Sequence, residues 1–128
     1  MRVLFDTHFL IWSAEGGVDI PKAALAIMLD PGNTLCFSVA AIWEIAIKTA
    51  LGKAGFRFDP EELRTDLLDA GWSEVDIKAT HAIAAAALPR LHEDPFDRLM
   101  IGQAAVEDMQ LVTADRKLAR YPGNILRV

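Results

Sequence analysis

The chain is poor in several things at once. It has one cysteine, Cys36, in 128 residues, so no internal disulfide can form. Set in Leu35-Cys36-Phe37, that thiol reads as a small, buried, inert hydrophobe. Basic residues are outnumbered, 13 Lys and Arg against 18 Asp and Glu, for a formal net charge of −5. Affinity through a broad cationic face, which nucleic-acid binders often use, is therefore disfavoured, but an acidic pocket working through bound cations is not. No apolar run approaches the ~20 residues of a membrane span. The opening Met1-Arg2-Val3-Leu4-Phe5-Asp6 puts an acid where a signal peptide would carry its apolar core, which points to the cytoplasm. Repeats, low-complexity segments and linkers are absent. The 52% hydrophobic content leaves nothing that looks disordered, and 128 residues suggest one domain, 1–128, able to bury a proper core.

What is present alternates between strands and helices. Val3 to Phe5 reads as a central strand buried on both faces. Thr7 is placed to cap a short helix through Trp12, which Gly16-Gly17 end. Pro21 opens a second helix, and Asp30-Pro31-Gly32-Asn33 is a turn. Thr34 to Val39 is the second strand. A helix from Ser38 or Val39 to about Leu51 follows, with Gly52 as its stop. Phe56 to Phe58 suits a short extended piece. Asp59-Pro60-Glu61-Glu62 starts a helix that Gly71 ends. Trp72 to Val75 is a short strand, and Asp76 caps an alanine-rich helix over Ile77 to Leu88. A helix from Pro95 to about Asp108, a strand Gln110 to Thr113, a helical turn or two over Asp115 to Arg120 and an edge strand Ile125 to Arg127 complete the chain. This order implies a parallel sheet with right-handed crossovers.

The most informative stretch is His92-Glu93-Asp94-Pro95-Phe96-Asp97-Arg98-Leu99-Met100-Ile101. Pro95 suits the first position of a helix, with Asp94 as its cap and Asp97 at the third position. The two acids fit a capping box and the helix dipole, and on this stretch alone that reading leads. Acids elsewhere change the balance. Asp6 follows Val3-Leu4-Phe5, Asp115 follows Leu111-Val112-Thr113, and Glu44 sits inside an otherwise apolar helix. Acids at strand ends lie where open α/β sheets place ligand chemistry. Asp6, Glu44, Asp97 and Asp115 gathered at one rim would repel, and a divalent cation would supply the missing charge. Hard oxygen ligands without a His or Cys cluster favour Mg²⁺ or Mn²⁺ over zinc, and one or two such ions could serve phosphodiester hydrolysis.

Together these stretches resemble the PIN-domain family and, within it, the VapC toxins of bacterial toxin–antitoxin pairs. The resemblance runs end to end. It is carried by Leu4-Phe5-Asp6-Thr7-His8, Ser38-Val39-Ala40-Ala41-Ile42-Trp43-Glu44-Ile45, His92-Glu93-Asp94-Pro95-Phe96-Asp97-Arg98 with Gln103-Ala104, and Leu111-Val112-Thr113-Ala114-Asp115. It implies an α/β/α sandwich and a metal-dependent, single-strand-specific endoribonuclease. Asp6, Glu44, Asp97 and Asp115 match the family's acidic quartet. Asp6 and Asp97 would be the core metal ligands. Glu44 would ligate the metal or position its water, and Asp115 would hold a second ion or a coordinating water. Thr7 and Thr113 match hydroxyl-bearing positions beside the quartet. The resemblance further implies RNA as substrate, a small VapB-like antitoxin, a homodimer, and operator DNA reached only through the antitoxin.

Plainer readings stand beside these. Glu44 fits an exposed helix face, and Asp115 fits the cap of the next short helix. Asp94 is a cap. His92 could act as a base, although an ordinary loop histidine is the simpler reading; His8 and His81 carry no partner pattern. Arg98 and Arg116 would contact phosphate or pair with carboxylates. Trp12 and Trp43 belong to the core or to an apolar patch for a partner. The antitoxin's groove would be built from Thr7 to Ser13 and Pro21 to Leu29. Two other functions fit less well: a housekeeping PIN nuclease in RNA processing, and a receiver-like phospho-acceptor domain. The latter usually has adjacent acids after its first strand and a lysine ending its last; here Asp6 stands alone and the last strand ends Leu126-Arg127-Val128.

Overall fold

The computed structural model describes residues 1–128. Strand β1 (Arg2–Phe5) is the central strand, and Val3, Leu4 and Phe5 are fully buried, as a strand covered on both faces requires. With β2 (Thr34–Ser38), β3 (Ser73–Val75), β4 (Gln110–Thr113) and β5 (Ile125–Arg127) it forms one parallel sheet, in the order β3-β2-β1-β4-β5. Leu4 pairs with Cys36 on one side and Leu111 on the other. These three residues share the larger core.

Six helices cover the sheet: α1 (Thr7–Ala14), α2 (Lys22–Leu29), α3 (Val39–Ala50), α4 (Pro60–Asp69), α5 (Ala79–Ala86) and α6 (Pro95–Val106). Ala40, Ala41 and Ile45 of α3, Leu63 and Leu67 of α4, and Met100, Ile101 and Ala104 of α6 pack in the larger core. Val3, Phe5 and Val112 face the other way, against Phe9 of α1 and Ala24 of α2. The result is the α/β/α sandwich that alternating strands and helices imply.

Local signals place most boundaries. Asp59 and Asp94 each cap a helix that starts with proline. Gly52 and Gly71 take φ of +68° and +92° where α3 and α4 end, a conformation that suits glycine. Four expectations need correction. Asp6, not Thr7, caps α1: its carboxylate accepts the His8 N–H at 3.2 Å, and Thr7 is the first helical residue. Phe56 to Phe58 forms no strand, although both phenylalanines pack on the core. The residues after Asp115 form only a 3-10 turn, Leu118–Arg120. Helix α5 starts at Ala79 rather than Ile77. There the Asp76 carbonyl accepts the Gln103 side chain at 3.2 Å, and the His81 Nδ1 accepts the Lys78 N–H at 3.0 Å. The turn before α5 is thus set by α6 and by an imidazole, not by an aspartate cap.

Helix α5 lies close on α6. A Cβ added at Gly102 would stand 2.6 Å from the His81 carbonyl oxygen, so only glycine admits this approach. The sheet order reverses between β1 and β4. Open parallel sheets bind ligands outside their carboxyl ends at such a switch point. A receiver domain orders its strands 2-1-3-4-5, so the phospho-acceptor reading fails on topology.

Candidate active site at the carboxyl edge of the sheet

Asp6 leaves β1 at the switch point and is 4% exposed. Its N–H continues the ladder to the Val112 carbonyl at 3.1 Å. Its Oδ2 accepts the Thr113 hydroxyl at 2.5 Å, which ties it to the end of β4. Burial raises its pKa above the ordinary carboxylate value; the Thr113 bond, the nearby His8 and backbone N–H groups oppose the rise.

Glu44 points inward from α3 and is also 4% exposed, so it is not a solvated helix face. Its Oε1 accepts the Thr7 hydroxyl at 2.6 Å. Its Oε2 pairs with Lys48 one turn on. Thr7 and Thr113 therefore each fix one acid, and both hydroxyls are buried.

Asp97 decides between the capping reading and the chemical one. In a capping box its carboxylate would reach back to the Asp94 N–H. Only half of that box forms. Asp94 Oδ1 accepts the Phe96 and Asp97 N–H groups at 2.9 and 3.1 Å, while Asp97 Oδ2 turns to His92 Nε2 at 2.8 Å. Burial, then the charge of Asp94, push the Asp97 pKa up to about 7; His92 opposes this, and the charges of Glu44 and Asp6 add to it. Asp6, Glu44, Asp94 and Asp97 thus share one electrostatic field.

Asp115 sits differently. Its N–H donates to the Thr113 hydroxyl at 3.0 Å, and its Oδ1 accepts the Lys117 N–H at 2.8 Å. That is the turn-capping role the sequence left open. Its charge is not among the largest influences on Asp6 or Asp97. It stands beside the trio through Thr113, with one carboxylate oxygen uncommitted.

The donors suit a hard divalent cation. Buried Asp6 and half-buried Asp97 have raised pKa values, the one paired cation is Lys48 at Glu44, and the donors are oxygens with one imidazole. His92, Asp94 and Asp97 offer ligand atoms within 4.8 Å of one another. The Asp6, Glu44 and Asp97 carboxylates do not gather that tightly.

Two side chains have partners that the sequence did not reveal. His92 is the partner of Asp97 rather than a free loop histidine. Arg98, next to Asp97, makes no ion pair; it donates to the carbonyls of Ala85, Leu88, Pro89 and His92 and to the Tyr121 hydroxyl. A weak signal existed for both: the loop between Pro89 and Pro95 is short, and a helix cap at Asp94 brings it back over the first turn. Trp43 and Phe96 each precede an acid, and their rings meet edge to face at 5.3 Å with Trp43 55% exposed.

The PIN domain family model matches residues 3–124. No curated protein matches the chain in sequence. Among solved structures, the VapBC2 complex of Rickettsia felis bound to a DNA fragment from its promoter has TM-score 0.71 at 18% identity, over 100% of this chain and 98% of that one. DNA-bound VapBC from Salmonella typhimurium has TM-score 0.66 at 18% identity, over 99% and 98%. The PIN domain endonuclease Utp24 has TM-score 0.58 at 18% identity, over 99% and 84%. At these identities the solved structures speak for the fold alone, and the match over nearly the whole chain supplies the kinship: this protein belongs to the PIN domain family.

Proposed function

We propose that this PIN domain is a metal-dependent endoribonuclease, the toxin of a VapBC-like pair. The observation that carries the reading is Asp97, a half-buried carboxylate whose pKa is pushed to about 7 in the field of Asp94, Glu44 and Asp6. Such crowding costs stability and is tolerated where chemistry needs it. Asp6 and Asp97 would hold Mg²⁺, or Mn²⁺. When bound, the ion would offset their charge, favour ionisation of an attacking water and steady the charge building on a phosphodiester.

The chain's own groups do the positioning. Thr113 holds Asp6 Oδ2, and Thr7 holds Glu44 Oε1, so neither acid swings away as charge changes. Glu44 would orient the attacking water, and Asp115, through its uncommitted oxygen, would hold a second ion or a water. The exposed face of Trp43 offers one nucleobase of a single strand a stacking surface, a contact that needs no basic groove. That matters in a chain of net charge −5.

A small VapB-like antitoxin would cover the apolar side chains left exposed along residues 18–29, Val18, Leu25 and Leu29. The Rickettsia felis and Salmonella typhimurium complexes support this partner by likeness of fold. The reading includes a homodimer, operator DNA contacted only through the antitoxin, and action in the cytoplasm. No helix is long and apolar enough to cross a membrane.

The test is cleavage of a fluorescent single-stranded RNA by the purified chain. Cleavage should require Mg²⁺ or Mn²⁺, stop in excess EDTA, and be absent in Asp6→Asn and Asp97→Asn. Full activity in EDTA would contradict the reading. Growth arrest on expression without a partner separates a toxin from a housekeeping RNA-processing nuclease.

A further inference from the structure

Arg98 is the nearest fixed cation to Asp97 in sequence, yet it leaves that carboxylate unneutralised. Its Nη1 donates to the Pro89 carbonyl at 3.1 Å, the His92 carbonyl at 3.3 Å and the Tyr121 hydroxyl at 3.3 Å. Its Nη2 donates to the Ala85 and Leu88 carbonyls at 3.0 and 3.2 Å. Four of these five acceptors are backbone oxygens from the end of α5 and the loop that carries His92.

Tyr121 closes the same loop from the far end of the chain. It is buried, just after the 3-10 turn. Its hydroxyl accepts the His92 N–H at 2.8 Å and donates to the His92 carbonyl at 3.2 Å. Both polar groups of the His92 backbone are thus held, and its Nε2 arrives 2.8 Å from Asp97 Oδ2. The segment from Leu91 to Asp94 has no helix or strand of its own, so these bonds are what fix it.

We propose that Arg98 and Tyr121 are positioning residues: they clamp the 88–92 loop so that His92 holds the Asp97 carboxylate away from the Asp94 N–H and free to take a cation. The inference rests on the proposed function only in giving Asp97 a cation to hold. The clamp itself can be read without metal or RNA. Partners that orient a metal ligand typically account for about 10- to 100-fold in affinity or activity.

The experiment uses the full chain as wild type, Tyr121→Phe, Arg98→Lys, His92→Ala and the Tyr121→Phe/His92→Ala double variant. In metal-free protein, nitrogen NMR of the imidazoles reads the His92 Nε2–H bonded to Asp97. That signal should be protected from exchange in wild type and lost or fast-exchanging in Tyr121→Phe, with the melting profile still cooperative. Manganese titration followed by the EPR signal of free Mn²⁺ should show Tyr121→Phe and His92→Ala each binding about tenfold more weakly. The double variant should be no weaker than His92→Ala, because Tyr121 acts through His92. Arg98→Lys, a charge without the planar fork, should weaken binding as well. An unchanged His92 signal in Tyr121→Phe, or losses that simply add in the double variant, would overturn the clamp. If wild type binds no Mn²⁺ or cuts no RNA, the proposed function falls while the imidazole signal still decides the clamp.

Discussion

Replacing Asp97 by asparagine should make the metal-free protein more stable at pH 8, and unresponsive to magnesium. Burial and three neighbouring carboxylates raise the Asp97 pKa from 3.8 to about 7. A carboxyl raised on folding contributes stability that is fully present below about pH 4 and lost as pH climbs through 7. A rise of about three pH units is worth at most about 4 kcal/mol. The side chain is 17% exposed and shares its field with Asp6, so about 2 kcal/mol is the working figure. For a domain of this size that is about 6–10 °C in melting temperature. Asparagine keeps an oxygen for the His92 bond and removes the charge. Melting in EDTA at pH 5 and pH 8, followed by circular dichroism, should show wild type losing stability toward pH 8 and the variant losing much less. Adding 10 mM MgCl₂, ~10 mM being a saturating choice for a millimolar site, should raise the wild-type melting temperature at pH 8 and leave the variant where it was. A variant that melts below wild type at pH 8 in EDTA would refute the reasoning, because Asp97 would then be a structural acid.

Thr113→Val removes the one hydroxyl that donates to Asp6, so Mn²⁺ affinity should fall about tenfold and stability by about 1–3 kcal/mol, read by EPR titration and thermal melting. Gly102→Ala should cost about 1–3 kcal/mol, because its Cβ meets the His81 carbonyl at 2.6 Å; a melt within 1 °C of wild type, where ~1 °C is the resolution of such curves, would contradict that close approach. Trp43→Ala should raise the KM for single-stranded RNA about tenfold with kcat little changed, and Trp43→Phe should restore most of it.

Much of this arrangement was legible in the letters because its causes are local. The Asp59-Pro60 and Asp94-Pro95 pairs, the stops at Gly52 and Gly71, and the apolar β1 act within a turn or two of themselves. What stayed hidden depends on distant partners. The start of α5 is set by Gln103, 27 residues on from Asp76, and by the His81 imidazole, which accepts the Lys78 N–H. The capping box at Asp94 looked complete by spacing, yet Asp97 prefers His92, a choice that exists only once Tyr121 and Arg98 have folded the loop back. Asp115 carries the same ambiguity in both views. Its letters match an acidic quartet, and one of its oxygens serves the local turn.

Asp6 and Asp97, 91 positions apart, would be ligands of one divalent ion. Anomalous diffraction from crystals grown with Mn²⁺ tests this directly. We expect a manganese peak coordinated by carboxylate oxygens of both residues at the carboxyl edge of β1. A peak held by other residues, or none at saturating Mn²⁺, would contradict it.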